Sequence, residues 1–491
     1  MGTTDGARWR HRVWAGSLSG IVGLVAASCG DFAAASSSAD ALDGGDAAQG
    51  ALPEPPEPPP PCDPDESPGE GVYVSAAFGT AGGLGTPESP LETITEGLEA
   101  AAAKGMTLVI VDEGTYPERL TFTDRHGGIT VAGGWKGAES GWKRDCESGF
   151  RARTILESPE SVAVTVEATV SAPTAGLDAM TITTRELDTT PPDTSGPSSI
   201  GVLVRGPASF RLRIVKVVAT KGGAGGVPSV AVPVLGTTNC SGVNDCSDGA
   251  GGGGGANGGP GAPRFSADGF VPGDGARGIA GTNAANGIPG GQPPSKVCAL
   301  QAKGTCNNTV TGGCDFTSDS VAGNLGHCGC GGLGGEAGRP GRGGGASIAV
   351  LVIGSGTVAL ENTNLTAIGG GDGSDGAAGG EGAVGGIGTP GPAKSCFTGA
   401  GPSGAMNCTC TLMNDVPVGG GPSGGSGGAG GKGGAGGGGA GGPAHAFVVV
   451  GSGKVLKDAA SVFSVGAGGA GAGGAPSGAS SKSAVVEPAG G

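Results

Sequence analysis

The stretch SIAVLVIG at residues 347–354 decides the fold, because SIGVLVRG at 199–206 and AHAFVVVG at 444–451 repeat its pattern. The second and third copies also continue alike, into GSGTVAL at 354–360 and GSGKVLK at 451–457. One coil of this kind cannot bury its own apolar face, whereas stacked coils bury a continuous core. The repeat therefore predicts a solenoid.

Each copy is interpreted as one coil of two strands and a turn, with a variable glycine-rich loop inserted at the same corner. The alternative is that valine-rich strands recur by coincidence between unrelated glycine linkers. Stacked coils predict that Val350, Val352, Val358 and Leu360 lie over Phe447, Val449, Val455 and an alanine or valine.

The folded part begins with an amphipathic helix expected over Leu91–Lys104. Ile94, Leu98 and either Ala101 or Ala102 share one face of it, and Gly105 ends it. Short strands separated by turns follow, which favours a β-solenoid or a sandwich. The expected strands are Thr107–Val111, Leu120–Phe122, Ile129–Ala132, Val162–Val166, Met180–Thr183, Ile200–Val204 and Phe210–Val218.

The segments GTPESPLETI at 85–94 and DEGTYPE at 112–118 resemble the beginning of pectin-lyase-like right-handed parallel β-helix proteins. In that family a capping helix covers the first coil, and a G-T-Y-x-E turn follows the first strand. The resemblance covers residues 71–160 and concerns the fold alone. It implies an all-β, right-handed parallel β-helix with an N-terminal capping helix and glycine-rich, disulfide-stapled insertions.

Glycine supplies 112 of the 491 residues and is concentrated in tracts at 236–345 and 369–443. Proline content and register fall short of the strict Gly-X-Y repeat of collagen. Two interpretations remain: a flexible coil, or a bundle of extended, threefold, left-handed helices that hydrogen-bond to one another. The tracts resemble the arrays of mycobacterial PE-PGRS proteins and, more closely, glycine-rich surface lipoproteins of myxobacteria. That resemblance implies an exposed surface protein.

The N-terminal residues indicate export. Basic residues at positions 8–12 precede a short apolar run, and VAASC at 25–29 resembles a bacterial lipobox. It implies cleavage before Cys29 and lipidation of its thiol, with an ordinary signal peptide as the alternative. Gly30 follows in place of a retention aspartate, which favours the outer membrane or cell surface. The membrane is therefore an expected partner through the lipid, and the proline-rich stretch 53–61 is an extended spacer.

The chain has 13 cysteines, so 12 remain when Cys29 is set aside. An even number in an exported protein predicts disulfides. Cys62 and Cys146 are positioned to close the first folded segment, and Cys240 and Cys246 to staple one loop. His327 beside Cys328 offers soft metal ligands, but the paired C-x2-C of a structural zinc site is missing. The remaining candidates are Cys298, Cys306, Cys314, Cys328, Cys330, Cys396, Cys408 and Cys410.

These features divide the chain into eight segments. They are a signal peptide (1–28), a lipid-anchored tether (29–70), the N-terminal part of the β-helix (71–235), a Gly/Cys-rich insertion (236–345), a coil (346–368), a second insertion (369–443), a further coil (444–466) and a Gly/Ala-rich tail (467–491).

No catalytic, cofactor or metal motif is recognisable. The net charge of −15 argues against nucleic acid, which requires clustered basic residues. The four histidines lack a nucleophile or acid partner at motif level. Asp372 and Asp375 resemble a calcium-binding nonapeptide turn without the repeats that define one, so a solvated turn is the favoured interpretation over calcium.

The leading hypothesis is a non-enzymatic surface lipoprotein whose β-helix displays glycine-rich loops for adhesion, envelope structure or matrix contact. The alternative is a protein that binds or cleaves extracellular polysaccharide. Two or more carboxylates with a lysine or arginine on one solvent-facing strand ladder would favour that alternative. A third hypothesis makes the glycine tracts a disordered spacer.

Overall fold

The structure is a computed structural model. It describes residues 67–137, 141–144, 146, 153–187, 190–231, 233–240, 243–293, 295–297, 302–306, 320–394, 408–412 and 418–486. The signal segment, Cys29 and most of the tether lie outside the described residues.

The described chain is mostly β, with a single α-helix, α1, at Ile94–Lys104. The strands before the first tract are β1 Val72–Val74, β2 Leu108–Asp112, β3 Gly114–Tyr116, β4 Leu120–Phe122, β5 Thr130–Lys136, β6 Lys143–Arg144, β7 Thr154–Glu157, β8 Val162–Glu167, β9 Ala175–Asp178, β10 Thr181–Thr183, β11 Ser199–Arg205, β12 Ser209–Arg213 and β13 Lys216–Ala219. The later strands are β14 Arg264–Ser266, β15 Gly269–Val271, β16 Lys296–Val297, β17 Ala302–Cys306, β18 Ser320–Val321, β19 Ser347–Ile353, β20 Thr357–Glu361, β21 Asn364–Ala367, β22 Cys408–Leu412, β23 Ala444–Val450, β24 Lys454–Lys457, β25 Val462–Val465 and β26 Ser480–Val486.

Most of these strands form three parallel sheets. Sheet A has the order β1-β2-β5-β9-β12-β20-β24, sheet B the order β3-β7-β10-β13-β21-β25, and sheet C the order β4-β8-β11-β19-β23-β26. The short strand β6 adds to sheet A antiparallel to β5. From β2 onward the main chain visits sheet A, then B, then C, and repeats this order to β26. Parallel pairing favours a solenoid over an antiparallel sandwich.

The three sequence repeats lie in register in sheet C, as the sequence predicts. Val350 pairs with Val202 on one side and with Phe447 on the other. Val202 and Val350 belong to the buried core, and the partly buried Phe447 packs against it. In sheet A, Val358 pairs with Val455, which confirms a further expected contact.

One stacking expectation is wrong, because Leu360 pairs with Lys457 and not with an alanine or valine. Lys457 lies on the last strand of sheet A, where its side chain is exposed. Its ammonium group lies 5.3 Å from the centre of the Phe463 ring. A lysine is tolerated there because none of the described strands stacks beyond β24 to desolvate it.

Each repeat copy contains three strands and not two, which corrects the expected coil. The predicted strand Phe210–Val218 is broken at Ile214, whose φ of 55° belongs to the left-handed region. Ala179 and Asn362 adopt similar positive φ values at the same corner, between sheet A and sheet B. The strained turn is supported by stacking, since the Ile214 N–H donates to Glu361 O of the next turn at 2.8 Å. The other expected strands begin within one residue of an observed one.

Helix α1 covers the first turn of the stack through its buried residues Ile94, Leu98 and Ala101, as expected. It begins three residues later than predicted, because Thr93 caps it in a capping box with Glu96. Leu91 instead bridges Val74 and Thr80.

The G-T-Y-x-E turn at residues 114–118 holds the N-terminus of α1. The carboxylate of Glu118 accepts the backbone N–H groups of Ile94 at 2.7 Å and Thr95 at 2.9 Å. An anion at this position satisfies donors that the first helical turn leaves unpaired. The turn therefore fixes the cap to the stack.

The variant Leu212→Ala is expected to lower the free energy of unfolding by about 2–5 kcal/mol, because it leaves a cavity in the core. Leu212 is fully buried between its neighbours in sheet A. Leu456→Ala is the matched control, since that side chain is 55% exposed and its loss should change stability by less than about 0.5 kcal/mol. Urea unfolding measures both, and equal effects would contradict a core at Leu212.

Candidate functional site

Both long glycine tracts leave the stack at the corner between sheet B and sheet C. The first connects β13 to β19, and the second connects β21 to β23. A shorter glycine-rich connection from β25 to β26 leaves at the same corner. The insertions therefore emerge on one side of the stack, where they lie beside each other.

The tracts form one hydrogen-bonded body, which we call the glycine bundle. It consists of segments 249–261, 273–290, 326–344, 371–391 and 424–442. The N–H groups of Gly252, Gly255 and Gly258 donate to the carbonyls of Ala429, Lys432 and Ala435, each at 2.8 Å. Donor and acceptor both advance by three residues per bond, as threefold extended helices require.

Segment 424–442 is the centre of the glycine bundle, because its successive residues face different neighbours. Ala429 O accepts from Gly252 at 2.8 Å, Gly430 N donates to Ala383 at 2.8 Å, and Gly431 N donates to Thr282 at 3.0 Å. Gly431 O also accepts from Gly335 at 2.8 Å. The described parts of the tracts are therefore an ordered bundle, and the flexible-coil interpretation is wrong for them.

Glycine is required where the segments touch. A Cβ built on Gly431 or Gly434 would lie far inside van der Waals contact with the carbonyl oxygens of Gly253 and Ala256. Other positions tolerate side chains, since Ala429, Lys432 and Ala435 point between segments or outward. The tripeptide spacing of glycine follows from this geometry.

The adjacent residues Gly258 and Gly259 test the bundle. A Cβ on Gly258 would collide with Ala276 O, whereas a Cβ on Gly259 would meet nothing within 4 Å. Gly258→Ala should cost about 1–3 kcal/mol through overpacking, and Gly259→Ala should be neutral or stabilising by up to about 1 kcal/mol. Thermal unfolding and limited proteolysis without reductant measure both variants. Rapid cleavage of wild-type protein within the tracts, or equal behaviour of the two variants, would contradict the bundle.

Two disulfides cross-link the glycine bundle to the loop before it. Cys240 bonds Cys330 and Cys246 bonds Cys328, with Cα–Cα distances of 5.4 and 5.8 Å. The expected Cys240–Cys246 staple is therefore wrong. The prediction paired cysteines that are close in sequence. The folded bundle instead brings Cys328 and Cys330 beside cysteines more than 80 positions earlier.

The other cysteine predictions stay open in part. Cys146 is also disulfide-bonded. The strands β17 and β22, one from each insertion, pair antiparallel with Cys306 opposite Cys408. The remaining candidates, together with the side chains of Cys306, Cys408 and Cys410, lie outside the described residues: Cys62, Cys298, Cys314 and Cys396.

Peptide mapping of the non-reduced protein should recover a peptide pair joined by Cys240–Cys330 and Cys246–Cys328, without a Cys240–Cys246 loop. The double variant Cys240→Ser/Cys330→Ser should lose about 2–4 kcal/mol of stability, because it frees a long loop in the unfolded chain. A recovered Cys240–Cys246 link would contradict the observed pairing.

Carboxylates attach the glycine bundle to the stack. Asp274 binds the Arg342 guanidinium at 2.9 Å and accepts from the hydroxyl of Ser195. Asp193 accepts from the hydroxyl of Ser229 at 2.8 Å and pairs with Arg339 at 3.0 Å. These contacts, the Ser229 bond first, hold the pKa of Asp193 below its usual value. The Asp193–Arg339 ion pair and the Ser195–Asp274 hydrogen bond thus join the bundle to the connection between β10 and β11.

The first insertion also covers the outer face of sheet C. The hairpin β14–β15 places Phe265 and Phe270 against the apolar residues of that face. The Phe265 ring lies 6.3 Å from the ring of His445, whose Nδ1 is 2.8 Å from Ser481 Oγ. Burial lowers the pKa of His445, because it disfavours the imidazolium. The phenylalanines at residues 264–271 could have predicted a hairpin from the sequence. The sheet face that this hairpin covers could not have been predicted.

A double groove follows the outside of the corner between sheet B and sheet C. Its two parts have volumes of about 620 and 600 Å³ and share Thr183, Glu186 and Thr220. Under it lies a buried hydroxyl cluster, with Thr184 Oγ1 2.6 Å from Ser199 Oγ and 2.9 Å from Thr220 Oγ1. These hydroxyls hydrogen-bond mainly to one another.

A charged ladder runs along the edge of sheet A, in the pattern that the polysaccharide hypothesis requires. Asp178, Arg213 and Glu361 are directly in register. The Asp178 side chain, however, is only 4% exposed and is bound by Arg213 and by Arg144, the latter at 3.3 Å. An aspartate buried between two guanidinium groups is unavailable to a sugar, so this ladder stabilises the sheet.

The other candidate residues stay apart. His126 is buried beside Glu99, and burial lowers the pKa of its imidazole. Asp372 binds Lys221 at 3.2 Å and the Ala470 N–H at 2.8 Å, so protein groups satisfy the proposed calcium ligand. Within the described ranges, no three histidine, cysteine, aspartate or glutamate side chains are grouped to hold a metal ion.

Comparison with known protein families, curated proteins and solved structures found no match to this chain. In the part of the chain that the structure describes, α1 is too short to cross a bilayer, and no other helix is a candidate span. The two disulfides are typical of an oxidising compartment.

Proposed function

We propose that this chain is a non-enzymatic, lipid-anchored cell-surface protein in which a right-handed parallel β-helix holds the glycine bundle outward. The chain passes through sheets A, B and C in a repeated order, which supports the β-helix. Crossover connections between parallel strands are right-handed in nearly all proteins, which supports the handedness. The scaffold serves adhesion, envelope structure or matrix contact.

The regular backbone hydrogen bonds between segments of the glycine bundle are the main support for this proposal. A spacer has no need for bonds at every third residue between five segments, and a catalytic insertion would bring reactive side chains to one place. A rigid bundle instead presents its outward residues at fixed intervals. Val384 and Ile387, three positions apart, are 80% and 84% exposed on one such row. Exposed apolar side chains on a rigid support favour contact with other molecules.

Polysaccharide binding is the second candidate, and the double groove favours it. The groove is lined by the carboxylates of Glu157 and Glu186, the guanidinium of Arg185 and the ammonium of Lys221, along neighbouring turns of the stack. Such groups can hydrogen-bond an extended sugar chain. The proposal for this groove is binding alone.

The Cys29→Ala variant tests the anchoring that the display role requires. In a Gram-negative host, the full-length protein should partition into the detergent phase of Triton X-114 and be digested by protease added to intact cells. Cys29→Ala should partition into the aqueous phase, because it lacks the acylated thiol. Cys62→Ala is the matched control and should keep detergent partitioning. A wild-type protein that stays in the aqueous phase, or resists external protease on intact cells and not in lysates, would refute surface anchoring.

A further inference from the structure

The two ends of the stack are unequal. Helix α1 covers the first turn, and its apolar face packs on Val72, Val74 and Val109. The last turn consists of β24, β25 and β26, each the terminal strand of its sheet. Among the described strands none pairs with their outer edges. An uncovered strand edge is a template for another strand.

The core is open at the same end. Val204, Val352, Val449 and Val485 form one in-register column of sheet C. Their exposed fractions are 0%, 0%, 3% and 76%, so only the last member is uncovered. Val455, Phe463 and Val465 on the neighbouring strands pack against the core and are only partly buried. The last turn therefore combines free strand edges with an apolar centre.

The charged residues on β24, β25 and β26 are all lysines, although the chain carries a net charge of −15. Lys454, Lys457 and Lys482 have exposed side chains. The carboxylate of Asp458, next to β24, accepts from Ser461 N in the same turn and from Asn362 N in the preceding one, at 2.8 Å each. The lysines are thus available to a partner.

This charge pattern selects the partner. Two copies joined end to end would bring their lysines together, and like charges across a strand pair are destabilising. A strand with carboxylates on either side of apolar residues matches both the lysines and the exposed column. Such a segment would gain main-chain hydrogen bonds along β26, the longest of the three edges.

We propose that the open end of the stack binds an extended acidic peptide segment, which adds to sheet C beside β26 and covers Val485. This goes beyond the display role and does not depend on the glycine bundle. The chain enters the fold at the end of the stack that α1 covers, and the proposed site lies at the opposite end.

The probe is a fluorescein-labelled seven-residue peptide of alternating valine and threonine with an aspartate at each end. Its control carries lysine at each end. Fluorescence anisotropy on the full-length protein should show saturable binding of the acidic peptide and at least about tenfold weaker binding of the basic one. Hydrogen–deuterium exchange should slow in residues 480–486 when the acidic peptide is bound.

Lys482→Glu and Val485→Asp should each weaken the binding of the acidic peptide by about tenfold or more. Both side chains are exposed, so neither change should disturb folding. The matched controls are Lys216→Glu, on an inner strand, and Val384→Asp, on the glycine bundle, and they should bind like wild type. Circular dichroism and thermal unfolding confirm that all four variants fold.

Three results would overturn the proposal. If neither peptide binds, the lysines serve only to keep the strand edge unpaired. Equal binding of both peptides, or binding insensitive to Lys482→Glu and Val485→Asp, would place the contact elsewhere. Concentration-dependent self-association in sedimentation, with the same protection of residues 480–486, would make a second copy the occupant.

Discussion

In-register stacking of apolar side chains is the constraint on which the rest of the structure depends. The column through Val202, Val350 and Phe447 fixes how successive turns align, because a shift by one residue would turn these side chains toward solvent. The same alignment places the positive-φ turns at Ile214 and Asn362 above each other, where each is supported by the next. It also makes both long insertions leave from one corner.

The glycine bundle follows a different rule from the stack that carries it. The stack is held by buried side chains, whereas the bundle is held by backbone hydrogen bonds between segments that lack side chains at their contacts. Ordering so much glycine is entropically costly. The disulfides at Cys328 and Cys330 reduce that cost by restricting the unfolded chain, and the ion pair of Asp193 with Arg339 attaches the bundle to the stack.

Several buried polar groups of this protein are used in internal contacts. The hydroxyls of Thr184, Ser199 and Thr220 hydrogen-bond to one another, and Asp178 is bound by two arginines. What remains exposed is regular: rows of side chains on the glycine bundle, a polar groove along one corner and an open strand edge at the far end. Each is a surface that another molecule can cover.

The sequence by itself determined the repeat and the start of many strands. Apolar periodicity located seven strand starts within one residue but did not locate β1, β3 or β9, and the repeat predicted the pairing of Val350 with Phe447, because equivalent coils bury equivalent positions. Local patterns could not predict the break at Ile214, the position of Lys457 at an open end, or the bonding of Cys240 to Cys330. Only the tertiary structure decided these, since each depends on a neighbour that is distant in sequence. The same holds for the glycine bundle, where the identity of each hydrogen-bond partner is set by which segments the stack brings together.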